Sequence, residues 1–134
     1  MEQFGLTPQE RAIVTDASWI FHKLNITQKV YELFGRLHEV LAAHPLTARF
    51  PLPEGCLSHG AKISKGERYR DLPYVILDYP RYFKGNNIFA IRTLFWWGRC
   101  FSLTLHLSGD EKSRFEKKLL AARELLQLMA FTFA

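Results

Sequence analysis

Apolar positions along the chain first recur with a helical period, then lose all period, then alternate, and at the end return to a helical period. Ile13, Ala17, Ile20, Phe21 and Leu24 fall at i, i+4, i+7, i+8 and i+11, one face of a helix. Thr7-Pro8-Gln9-Glu10 supplies its start, because Thr caps free N–H groups, Pro suits the first turn and Glu completes a capping box. The pattern predicts a helix over about 8–24. A second, over about 28–44, has Thr27 as its cap, Val30, Leu33, Phe34, Leu37 and Leu41 as its face, and Pro45 as its stop. A connection as short as Asn25-Ile26-Thr27 implies an antiparallel helical hairpin.

From 45 to 71 the period is lost, and prolines with Gly55, Gly60 and Gly66 punctuate a long loop, with room for a short helix or strand. Three β-rich runs follow at about 73–79, 87–97 and 100–108, the first ended by Pro80 and followed by the turn residues Lys84-Gly85-Asn86-Asn87. A three-stranded antiparallel meander is the simplest arrangement. Phe115, Leu119, Ala122, Leu126, Met129 and Phe133 then define a helix over about 111–132, whose last turns, LLQLMAFTFA, are apolar nearly all round. The expected fold is a single α+β domain spanning 1–134.

The stretch LFWWGRCF, residues 94–101, decides how the last two strands face. With Gly98-Arg99 as the central pair of a type II′ turn, Trp97 lies opposite Cys100, Trp96 opposite Phe101, Phe95 opposite Ser102 and Leu94 opposite Leu103. One face then gathers Ala90, Leu94, Trp96, Phe101, Leu103, Leu105 and Leu107, with Arg92 the exception. That is the expected core face, and Trp96 and Phe101 are its core candidates. The other gathers Phe89, Ile91, Phe95 and Trp97 beside Cys100, Ser102, Thr104, His106 and Ser108. Rings beside hydroxyls and an imidazole line a ligand pocket or an interface, unless the protein's own loop or helix covers them. The alternative, Gly98 as a bulge in one bent strand, sends Trp96 and Trp97 to different walls.

Composition sharpens this picture. A chain of 134 residues that is 48% apolar and carries eleven Phe, five Tyr and three Trp can form one buried core and does not resemble a disordered polymer. The N-terminal MEQFGLTPQE lacks the pattern of a secretory signal and no run is long enough to span a bilayer, so a soluble, cytoplasmic protein without a membrane partner is expected. Cys56 and Cys100 fit a reducing compartment, although a single bridge between them stays open.

The net charge of +5 is unevenly placed: residues 1–61 carry −1, 62–99 carry +5 and 100–134 carry +1. The excess is held by Lys62, Lys65, Arg68, Arg70, Arg81, Lys84, Arg92 and Arg99, in the segment that also contains the Tyr, Phe and Trp cluster. Such a field attracts anions, nucleic acid or acidic proteins, unless it is only a solvated surface. Tyr69, Tyr74, Tyr79 and Tyr82 beside Arg70 and Arg81 suit the rim of a protein interface.

Catalytic chemistry is harder to assemble. Cys100 and His106 share a strand face but lie about 20 Å apart at ~3.3 Å per residue, so they form no dyad. Cys56-Leu-Ser-His59 has the spacing of half a zinc site without a second half. Asp78 and Arg92 fall opposite or nearly opposite across the turn at 85, and a cross-strand ion pair accounts for both; the alternative is Arg92 as an anchor for a carboxylate or phosphate. No phosphate-loop or dinucleotide fingerprint occurs and no cofactor is implied.

The reading is a non-enzymatic binding or interaction module. Arg92, Phe95, Trp97, Arg99, Cys100, His106, Arg68, Arg70 and Arg81 are its candidate contacts for a small anionic ligand or an acidic protein, and self-association through the C-terminal helix is a further expectation. Two alternatives are single-stranded nucleic-acid binding and a small enzyme with Cys100, His106, Asp78 or Arg92 in a cleft.

Overall fold

The computed structural model describes residues 5–130 and residue 132. Its elements in chain order are α1 (Pro8–Val14), α2 (Ala17–Ala43), α3 (Pro45–Arg49), β1 (Lys62–Tyr69), β2 (Leu72–Lys84), β3 (Asn87–Trp96), β4 (Cys100–Ser108), α4 (Asp110–Ala121) and α5 (Arg123–Leu128). The strands form one antiparallel meander in the order β1-β2-β3-β4. The class is α+β, but with four strands rather than three.

The N-terminal hairpin is replaced by a short helix and a long one. The capping box at Thr7 and Glu10 is present, yet α1 ends after seven residues, where the Thr15 hydroxyl donates to the Arg11 carbonyl and Asp16 caps the next helix by accepting from Ser18 N–H. From there α2 runs for 27 residues straight through Asn25-Ile26-Thr27. Thr27 does not cap there: its hydroxyl donates back to the Lys23 carbonyl at 2.9 Å, which satisfies it inside the helix. The helix stops where Pro45 requires, and α3 follows at once, with His44 Nδ1 accepting from Leu46 N–H.

The segment 45–71 is not a plain loop, since α3 and the whole of β1 lie within it. Lys62-Ile-Ser-Lys-Gly-Glu-Arg-Tyr69 carries little apolar alternation because β1 is an edge strand, where charge and glycine are common. Its link to β2 is the tight turn Arg70-Asp71, both at positive φ (47° and 68°), as a type I′ hairpin needs. Pro80 does not end β2. The strand passes through it with a register shift between Asp78 and Arg81 and a cis Tyr79–Pro80 peptide, and continues to Lys84. Gly85 (φ 59°) then opens the two-residue turn to β3.

The β3–β4 register is the main correction. Trp96 pairs with Cys100 and Phe95 with Phe101, so the loop is Trp97-Gly98-Arg99, three residues instead of two. Arg99 N–H donates to the Trp96 carbonyl at 3.0 Å, with Gly98 at φ 67° in the third position of that turn. One extra loop residue reverses the facing of β3 relative to β4. Phe89, Ile91, Thr93 and Phe95 therefore share a face with Phe101, Leu103, Leu105 and Leu107, and Arg92, Leu94 and Trp96 share the other with Cys100, Ser102, Thr104 and His106.

Both helical layers pack on the first of these faces, called here the inner face. Val30 and Phe34 of α2 meet Val75, Leu77 and Tyr79 of β2, with Phe95 at their margin. Phe115 of α4 and Cys56 of the loop between α3 and β1 meet Phe89, with Ile91 and Leu107 beside them. Phe50 stacks on Phe115 with ring centres 5.9 Å apart. Trp96 and Phe101, the expected core pair, are in neither cluster: Trp96 is half-buried on the outer face, and Phe101 lies on the inner face but is 56% exposed. The C-terminal helix is also interrupted. It breaks at Ala122 into α4 and α5, and Phe133 lies outside the described residues.

Candidate functional site on the outer sheet face

The outer face is built from cross-strand rows, each row contributing one residue from every strand. Nearest the β1–β2 turn is Gly66–Tyr74–Trp96–Cys100; next come Ser64–Ile76–Leu94–Ser102 and Lys62–Asp78–Arg92–Thr104. Beyond the shift at Pro80, Arg81 aligns with Ala90 and His106. No residue of these rows belongs to either core cluster. Lys62, Cys100, Thr104 and His106 are exposed, while Tyr74, Ile76, Leu94 and Trp96 are half-buried by one another.

An aromatic cluster occupies the first row. Gly66 has no side chain because the Tyr74 ring lies over its backbone, in the space an added Cβ would take. Tyr69 stands edge-on to Tyr74 (ring centres 6.2 Å) and 4.9 Å from Trp96. The Trp96 indole N–H donates to the Tyr69 carbonyl at 3.0 Å, which fixes the ring against the β1–β2 turn. From the neighbouring loop the Arg99 guanidinium sits over Trp96, 5.5 Å from the ring centre, a cation–π distance. The exposed rim of this cluster is thus aromatic and cationic at once.

The centre of the face is held by one ion pair. Asp78 and Arg92 are direct cross-strand partners, and Arg92 Nε and Nη2 donate to the two carboxylate oxygens of Asp78 at 2.8 and 2.9 Å. The Asp78 side chain is nearly buried (8% exposed), whereas that of Arg92 is 42% exposed. Hydrogen bonding to the carboxylate raises the Arg92 pKa above its ordinary value, against the opposing effect of partial burial. Asp78 therefore has its charge compensated within the sheet, and both Arg92 donors that face it are occupied.

The other candidate residues are scattered. Phe95 and Trp97 lie together, with ring centres 5.7 Å apart, but on the inner side, where Phe95 also meets Phe101. Arg81 donates to the carbonyls of Gly60 and His59, tying down the chain that enters β1. Arg68 pairs with Asp71 at 2.9 Å, a fully exposed contact of small energetic weight. Among the described residues, Lys62, Lys65, Arg70, Lys84 and Arg99 have no carboxylate within ion-pair distance.

The catalytic candidates do not converge. Cys100 belongs to the Trp96 row and His106 to the Ala90 row, six residues along the same strand, and Asp78 and Arg92 are paired with each other. Both cysteines are free, Cys56 buried and Cys100 exposed. Burial, with the negative Glu111 nearby, pushes the Cys56 thiol up to about 11, so it is protonated at neutral pH. Among the described residues no three His, Cys, Asp or Glu side chains gather as a metal site, and Cys56 and His59 have no partners for one. Nor is any described helix long and apolar enough to cross a membrane.

Trp96, Tyr69 and Tyr74 emerge as one cluster that the sequence left divided between a core candidate and interface rim residues. The signal that unites them is the length of the 97–99 loop, which sends Trp96 outward. No protein-family model matches the chain, and no curated protein or solved structure does either.

Proposed function

We propose that the protein is a non-enzymatic interaction module that uses the outer sheet face to hold an acidic segment of another protein. The observation that carries this reading is the Tyr69–Trp96–Arg99 cluster on a sheet face left open by the core clusters. Tyr, Trp and Arg are the side chains that dominate protein interfaces, because each joins a large apolar surface to a fixed polar group. Lys62 in the same face, with Arg70 at the adjoining turn, adds positive charge that no internal carboxylate consumes. An exposed row of strand side chains suits an extended peptide better than a small anion, which needs a concave site.

The test is a fluorescence-anisotropy titration of the full chain with a labelled Glu-rich peptide containing one Phe, beside a labelled oligothymidine. Binding of the peptide, weakened by salt and by Arg99→Ser, is the expected result. Binding of oligothymidine alone would replace this reading with single-stranded nucleic-acid recognition. Failure of both probes at low salt would remove it.

A further inference from the structure

We infer that β1 takes the acidic partner segment as a fifth, antiparallel strand, and that this segment carries an aromatic residue with acids one and four positions after it; the inference rests on the outer-face reading. β1 stands at one end of the sheet order, and among the described residues its only strand partner is β2. The backbone groups along its other edge are therefore a template for an added strand, whose main-chain bonds supply affinity and whose alternate side chains supply specificity. The register of β1 is regular from 62 to 66 and shifts before Tyr69, which sets the stretch over which a partner can pair.

Charge selects the acidic occupant. Each carboxylate on β1, in its turn or beside Lys62 on β2 is already matched within the protein: Glu67 by Lys23 at 2.6 Å, Asp71 by Arg68 at 2.9 Å and Asp78 by Arg92 at 2.8 Å. Lys62 and Lys65 are exposed and have no carboxylate within ion-pair distance. Lysines on an edge strand repel a second copy of that strand and gain nothing from a neutral one, but an acid directly opposite each is a favourable cross-strand pair. The other edge offers no such match, because β4 (Cys100–Ser108) contains no Lys or Arg.

Gly66 selects the aromatic. In its row the Tyr74 ring lies over the Gly66 backbone, so the outermost position of the row is filled by a ring that belongs to β2. The Tyr69–Tyr74–Trp96 cluster is thereby carried out to the β1 edge, and a fifth strand meets it directly at the position opposite Gly66. An aromatic side chain there lies beside the phenol ring and covers a glycine on an edge strand. Lys62 shares the outer face with Gly66, whereas Lys65 pairs with Val75 and faces the other way. Run antiparallel, as every pair in this sheet does, the partner reads aromatic opposite Gly66, acid opposite Lys65, two unrestricted residues, then acid opposite Lys62.

Fluorescence anisotropy of the full chain with a labelled Ser/Thr peptide containing Phe-Glu-Thr-Ser-Glu tests this, beside a scrambled peptide of the same composition. The ordered peptide should bind roughly tenfold or more tightly than the scrambled one, and Lys65→Glu should abolish that preference while Lys117→Glu, an equal change of charge on α4, leaves it. Two further peptides, N-methylated at complementary sets of alternate residues, report on the backbone: the set that faces β1 loses binding by roughly tenfold or more, and the other set keeps it. Hydrogen exchange on the unmodified chain supplies a readout that needs no variant, since the ordered peptide should slow exchange at β1 amides and leave β4 amides as they were. Equal binding of ordered and scrambled peptides, equal affinity of the two methylated peptides, or protection at β4 instead of β1 would each overturn strand addition while leaving the acidic partner in place. No binding of any of these peptides at low salt would overturn both.

Discussion

The two faces of the sheet are held together by different physics. The inner face depends on enclosure: Phe34, Val75 and Leu77 are 1%, 1% and 0% exposed, and each buried side chain is stabilised by its removal from water and by dense contact. The outer face depends on pairing, with the Asp78–Arg92 bridge at its centre and the Trp96 indole tied to the Tyr69 carbonyl at its end. Enclosure makes truncation costly and charge intolerable. Pairing tolerates exposure, and it leaves functional groups where a partner can reach them.

Truncation on the inner side should therefore have the largest effect. Phe34→Ala removes a ring packed against Val75, Leu77 and Tyr79, and urea denaturation should show a loss of about 3–5 kcal/mol. The outer bridge comes next. Arg92→Met leaves the nearly buried Asp78 carboxylate without its partner, at a cost of roughly 1–3 kcal/mol, and the double variant Asp78→Leu/Arg92→Met should recover much of it. Recovery would assign the cost to the stranded charge; no recovery would assign it to lost packing by the arginine stem.

Alkaline pH should separate the faces without mutation. Cys56 and Tyr79, both on the inner side, have pKa values raised chiefly by burial, that of Cys56 to about 11. Above the unfolded thiol pKa of about 8.5 the unfolded chain gives up its proton while the folded chain keeps it, so stability, complete below that pH, falls as pH rises toward the folded value. Thermal melts of the unmodified chain should decline through that window, and Cys56→Ala should flatten part of the decline. Ellman's reagent at mildly alkaline pH should meanwhile find Cys100 and miss Cys56 until denaturant is added. The smallest effect on stability belongs to Arg99→Ser at the exposed loop, within about 0.5 kcal/mol, although it removes the cation over Trp96.

What the sequence disclosed divides along similar lines. The capping box at Thr7, the stop at Pro45, the Gly85 turn and the Asp78–Arg92 pair were legible because each rests on neighbouring residues or on a single short hairpin. β1 was hidden because an edge strand has little need of apolar alternation. The passage of α2 through Asn25-Ile26-Thr27 was hidden because the Thr27 hydroxyl can cap a helix or bond back within one, and the local residues do not choose. The candidate site suffered most. Arg92, Cys100 and His106 lie on the strands and Arg99 in the loop that the sequence predicts, but Phe95 faces inward and Trp97 falls in the loop, because the connection is three residues long and not two.

That loop acts as a parity bit for the molecule. With Trp97, Gly98 and Arg99 between the strands, the apolar members of β4 agree in sign with Phe89, Ile91 and Phe95, while its Ser, Thr and His residues agree with Arg92 and Trp96. Removing any one loop residue would reverse the agreement without altering a single strand residue, and would trade the greasy side of the edge strand for its hydroxylated side. A lineage carrying this chain could accept many substitutions in β4, yet it could not accept an odd-numbered change in the length of that turn.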